Sequence, residues 1–260
     1  LGEDAKMDSN PMAQAFNPME AMMDFLPNEK QSQLIEKLQN WQGEAMKYVG
    51  NGNPDAKDMG DLKKLRDKIE AELNVMLTPE EKRDYDLRLS NTSAQMRMGL
   101  GDFNPSKDEF ETLFDMRQAF DDEHTVLGLP PVDQAGKDAR KAAETVFKQQ
   151  VLEWLGPDRY KEFERAPKRE YKTALKVAER QGLEKSTAIS VYEMKGIAEE
   201  QAKAVRDNEA LNAKQRKAAL LAIRQEAEAS IVGVFGEEGY KAYNSQRGGD
   251  WIKRLSRTAK

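Results

Sequence analysis

The chain of 260 residues holds one histidine and no cysteine. His124 closes the run Asp121-Asp122-Glu123-His124. Carboxylates and an imidazole suit a divalent ion, so this run is the first candidate for chemistry. Neighbouring residues on a helix do not converge on one point, however. A histidine near a helix C-terminus is read more simply as a partner of the helix dipole. The missing cysteine excludes a disulfide framework, a thiolate zinc site and a cysteine nucleophile. A single histidine excludes a His-rich metal site within one chain.

Asp and Glu total 46, so a glycosidase-like acid pair cannot be picked out by spacing. No G-x-S-x-G, P-loop or G-x-G-x-x-G run occurs, and Gly99-Leu100-Gly101 and Gly248-Gly249 read as loops. Five of the 12 methionines (Met7, Met12, Met19, Met22 and Met23) fall in residues 1–27. Thioethers bind Cu(I), but methionine more often supplies adaptable apolar contact. Trp41, Trp154 and Trp251 sit at apolar positions and read as core or interface packing. No catalytic, metal or cofactor-binding residue is assigned, and no cofactor is expected.

The elements behind these residues are helices. Leu34, Ile35, Leu38, Trp41, Ala45 and Tyr48 recur at helical spacing. So do Leu62, Leu65, Ile69, Leu73 and Met76, and then Phe110, Leu113, Phe114, Arg117 and Phe120. The last stripe follows the cap-like Asn104-Pro105-Ser106. Gly50–Pro54 and Gly128–Pro131 read as breaks. No run alternates apolar and polar residues, so the chain is expected to be all-α. No run of about 18 apolar residues occurs, so no transmembrane segment is expected.

One corner recurs. Leu77-Thr78-Pro79-Glu80-Glu81 leads to Tyr85; Leu155-Gly156-Pro157-Asp158-Arg159 leads to Tyr160 and Phe163; Phe235-Gly236-Glu237-Glu238-Gly239 leads to Tyr240 and Tyr243. The anchors at 77, 155 and 235 lie 78 and 80 residues apart (155 − 77 and 235 − 155). Upstream, Leu65, Ile69 and Leu73 correspond to Ala143, Phe147 and Val151, and to Ile223, Ala227 and Ile231. Phe114-Asp115-Met116-Arg117 matches Tyr192-Glu193-Met194-Lys195 in chemistry at the same period. The first corner reads as a capping box, with Thr78 as N-cap, Pro79 at N1 and Glu81 at N3. Gly156 and Gly236 are placed to end the preceding helix at positive φ.

At these turns the chain resembles the LTxxQ-motif periplasmic helical proteins, a group that includes Spy- and CpxP-like stress chaperones and helical metal sensors. The match is Leu211-Asn212-Ala213-Lys214-Gln215, then Leu77-Thr78-Pro79-Glu80-Glu81 with Glu in place of Gln, and a looser echo in Leu26-Pro27-Asn28-Glu29-Lys30. It covers about five residues per site plus the helical periodicity. The resemblance implies an exported, non-enzymatic helical protein that binds unfolded clients or metal.

The formal net charge of −5 argues against nucleic acid as a partner. Residues 1–27 carry five acids and Lys6, whereas residues 241–260 carry six bases and Asp250. The chain begins at Leu1, which fits a removed leader and tips the expectation toward a periplasmic or otherwise exported location. The N-terminal arm (Met12, Phe16, Met19, Met22, Met23, Phe25) and the basic end (Trp251, Arg254, Arg257) are the candidate contacts for other protein chains. The amphipathic end could also lie on a membrane, and its plainer reading is packing on the protein's own bundle.

The expected architecture is therefore an N-terminal arm over 1–27, a first helical part over 28–128 and further units over 129–260. These would be repeated helical-hairpin units forming a multi-helix bundle or short solenoid. The expected function is a non-catalytic helical scaffold or interaction subunit. The alternatives are a chaperone or stress or metal sensor of the LTxxQ type and, third, a carboxylate-based enzyme.

Overall fold

The computed structural model describes residues 22–50 and 52–257. Among these residues it has eleven α-helices and no strand. They are α1 (Asn28–Val49), α2 (Ala56–Met76), α3 (Pro79–Leu89), α4 (Asn91–Leu100), α5 (Lys107–His124), α6 (Gln134–Leu155), α7 (Pro157–Arg165), α8 (Arg169–Arg180), α9 (Lys185–Asp207), α10 (Ala213–Asn244) and α11 (Trp251–Leu255). The chain is all-α, as the stripes require.

The helix starts are written in the sequence. Asp55, Thr78, Ser106 and Asn212 each cap a helix, and each forms a reciprocal box with the residue three positions on. Asp133 caps α6 by accepting from the Gly136 amide. Each such cap satisfies backbone donors that would otherwise be orphaned, a contribution of about 1 kcal/mol.

The chain forms two compact units. The first runs from the N-terminus to Met98 and resumes from Pro105 to Gly156. Its α1 and α2 pair as a hairpin, and so do α5 and α6. Leu34, Trp41, Leu73, Leu77 and Tyr85 form one core there, joined by Met23 and Leu26. Between α5 and α6 the chain reverses in two residues: Val126 and Leu129 exchange both backbone hydrogen bonds, at 3.0 and 2.9 Å. Leu127 and Gly128 both have positive φ, 50° and 81°. This is a type I′ turn, which tolerates leucine poorly at its first central position.

The second unit is Gly99–Asn104 with Pro157–Lys260. Its helices α8, α9 and α10 pack on one another around Tyr171, Val191, Leu220, Ile231, Tyr243 and Trp251. The Gly99–Asn104 segment is pinned there by Asp102, which accepts from the Tyr171 hydroxyl and pairs with Lys185 at 3.0 Å. Phe103 stands edge-on to Phe163, with centroids 5.7 Å apart.

The chain passes from the first compact unit to the second at Gly156. The reason is the α5–α6 hairpin, which holds α6 in the first unit.

Helices of similar length start at regular intervals along the chain. Long helices begin at 28, 107 and 185, and their hairpin partners at 56, 134 and 213. Short helices after the corners begin at 79 and 157, and Gly236 breaks α10 so that another helical stretch runs from 237. Burial follows the same intervals. Leu34, Leu113 and Val191 are buried, and so are Trp41, Phe120 and Ala198, and then Leu73, Val151 and Ile231.

Candidate functional site

The three corners are alike in backbone but not identical. Gly156 (φ 75°, ψ 164°) and Gly236 (φ 69°, ψ 172°) adopt one conformation, and it is essentially open only to glycine. Thr78 reaches a similar ψ of 164° at φ −65° and ends α2 by its capping box instead. Leu77 and Phe235 are buried, and Leu155 is half-buried. The aromatic residue after each corner turns inward. Tyr85 joins the core of the first unit, and Tyr243 lies 6.0 Å from Phe235 in the second. Phe163 packs on Phe103. A residue ahead of each long helix meets the corner that follows or the short helix after it. Phe25 lies under the Arg88 guanidinium, Phe103 meets Phe163, and Gln181 Nε2 donates to the Phe235 carbonyl at 3.0 Å.

The expected partner contacts separate. Met12, Phe16 and Met19 lie outside the described residues. Met22 is exposed, and Phe25 is half-buried. Met23 and Trp251 are wholly buried and serve the protein's own cores, so neither is open to a partner. Arg254 and Arg257 are exposed. Trp154 packs less than its position suggests and is 40% exposed.

The acidic run ahead of His124 also separates. Asp121 turns to Arg117 and Thr92, accepting at 3.1 and 2.9 Å, while His124 lies against Phe120. Among the described residues, no three His, Asp or Glu side chains come together to hold a metal ion.

A polar cavity of about 110 Å³ opens in the first unit between α2, α3, the start of α4 and the end of α5. Glu70, Asp86, Asp121 and Asp122 line it, with Arg66 as the one cation in the wall. Its rim includes the Leu127–Gly128 turn. Burial raises the Asp86 carboxyl above the usual range, opposed by Lys82, whose ammonium donates to it at 2.7 and 2.8 Å. Lost water contact also raises Asp122, and Glu70, Asp121 and Asp86 add to that rise. Tyr85 lines the cavity with its ring buried, and burial pushes its phenol up, so the hydroxyl stays protonated. That hydroxyl is not among the buried polar atoms left without a partner.

Sequence reading missed this cavity. Asp86 and Tyr85 come from α3, Glu70 from α2 and Asp122 from α5, and no spacing links them. In comparisons with known proteins, no family model, no curated protein and no solved structure matches this chain.

Proposed function

We propose that the chain is a non-catalytic scaffold or interaction subunit built from three copies of a four-helix unit. The observation that supports it is the recurrence of helix starts at 28, 107 and 185 together with buried positions at the same intervals. Chains built this way bury a continuous core between neighbouring copies and present extended surfaces to partners. Large exposed apolar side chains such as Met46, Val75, Met98, Val146 and Ile197 are spread over several helices and suit such surfaces. The experiment is native purification with mass spectrometry. A partner of fixed stoichiometry is expected, and it should be lost when residues 1–21 are deleted, a cut that leaves the core residues Met23 and Leu26 in place. Absence of any stoichiometric partner, with suppression of client aggregation, would favour the LTxxQ-type chaperone instead. The two sites carrying that likeness are capping boxes, Thr78 with Glu81 and Asn212 with Gln215, so helix capping accounts for their residues.

A second reading, carboxylate catalysis, draws on the raised Asp86 and Asp122 in one cavity. It ranks lower because Lys82 already holds Asp86 and Arg117 holds Asp121, which leaves Asp122 as the freer acid.

A further inference from the structure

One dipeptide is gripped twice. Asp24-Phe25 and Asp102-Phe103 lie 78 residues apart (102 − 24). In the first unit Arg88 of α3 pairs with the Asp24 carboxylate and covers the Phe25 ring, 5.3 Å from its centroid. In the second unit Arg159 of α7 covers the Phe103 ring at 3.8 Å and donates to the Asn104 carbonyl at 3.3 Å. A guanidinium over an aromatic face gains strength as water is excluded. Phe103 is buried and Phe25 only half-buried, so the second grip is the tighter one.

Residues 99–104 are held as a ligand is held. Asp102 accepts from the Tyr171 hydroxyl and pairs with Lys185 at 3.0 Å. Lys185 Nζ also reaches the Asp102 backbone carbonyl at 3.3 Å. Tyr171 is buried; that burial, and then Asp102 itself, push its phenol up, so the hydroxyl keeps the proton it donates. Phe103 meets Phe163 edge-on, and Leu100 is buried as well. Three anchors thus fall within residues 100–103, one charged and two apolar, which is how a short peptide is recognised. They sit in a connection, since α4 ends at Leu100 and α5 starts at Lys107. The chain on either side, to Met98 and from Pro105, belongs to the first unit, and Asn104 turns at φ 48°.

We propose that Gly99–Asn104 is an internally bound peptide: α7, α8 and the start of α9 form a receptor for a short segment that carries Asp followed by Phe, and the chain blocks that receptor with its own copy. The contact is autoinhibitory. A segment of the same chemistry on another protein is kept out while Asp102 and Phe103 are seated, because the tethered copy is present at far higher effective concentration. Displacing it uncovers the Tyr171 hydroxyl and the Lys185 ammonium for one carboxylate, and the Arg159 guanidinium with the Phe163 ring for one aromatic side chain. The site does not depend on the scaffold reading, since receptor and occupant both lie in the second unit.

The test titrates the full chain against a fluorescent, amidated peptide of residues 99–104 and reads anisotropy. Asp102→Ala with Phe103→Ala unseats the chain's own copy, and Asp102→Asn is the gentler variant should the double one lose helicity. Saturable binding is expected to the double variant and, more weakly, to Asp102→Asn, with wild type at least about tenfold weaker than the double variant. Asp102→Asn or Phe103→Ala made in the peptide should each weaken it about tenfold. Lys185→Glu added to the double variant should do the same, and its half-exposed side chain lets the change spare the core. No saturable binding to either variant at wild-type helicity, wild type binding as tightly as the double variant, or unaltered affinity for the Asp102→Asn peptide overturns the proposal.

Discussion

The indole Nε1 of Trp251 donates to the Tyr243 hydroxyl at 2.9 Å, and that hydroxyl donates onward to the Gly248 carbonyl at 3.2 Å. All of this lies in the core of the second unit. Tyr243→Phe would strand a buried indole N–H and a buried carbonyl together. The expected cost is about 2 kcal/mol, read as a lower urea midpoint. Tyr85→Phe removes a hydroxyl that is not enclosed in packed core, so it should change stability by less than about 0.5 kcal/mol. Equal losses in the two variants would contradict the contrast between these corners.

Gly156→Ala and Gly236→Ala should each destabilise by about 1–3 kcal/mol. A Cβ at either position meets nothing within 4 Å, so the whole penalty is backbone strain. Gly233 is the control. It lies within α10 without positive φ, and a Cβ there also meets nothing within 4 Å. Gly233→Ala should gain about 0.5–1 kcal/mol. Denaturant unfolding of the three variants side by side separates strain from crowding.

Thr78→Ala removes the hydroxyl that accepts from the Glu81 amide at 3.2 Å. The loss should be about 1 kcal/mol. The corner should hold its shape, because Pro79 remains at the first position of α3. Far-UV circular dichroism unchanged from wild type, with a lower unfolding midpoint, is the expected pair of results.

Glu81 and Asp86 should give opposite pH trends. Lys30 and the Thr78 amide hold the Glu81 carboxyl below its usual range. Its contribution is present above the unfolded value of about 4.3 and is lost as pH falls through the native one. Wild type should therefore outlast Glu81→Gln near neutrality and converge with it in acid. Asp86 is raised, so its contribution is present below the unfolded value of about 3.9 and is lost as pH rises through the native one. The advantage of wild type over Asp86→Asn should shrink as pH rises. Urea titrations across pH 3 to 7 read both slopes.

The helices and corners were legible because each rests on local physics. Capping boxes such as Thr78 with Glu81, glycines at positive φ and stripes of 3–4 spacing are all written within a few residues. What was not legible depends on distance. The cavity acids come from three helices and share no spacing. The boundary at Gly156 was hidden for the same reason, since it follows from α6 pairing with α5. Met23 and Trp251 stood as candidate partner contacts, with packing on the bundle the plainer reading for Trp251, because composition alone does not tell an amphipathic end that is free from one folded under.

The chain leaves the first compact unit at Gly156, and the second unit also takes in Gly99–Asn104. A fragment beginning at Pro157 would lack the aspartate that bonds Tyr171 and Lys185. One cut in the chain therefore cannot deliver a whole second body; limited proteolysis there should yield a piece missing part of its own interior.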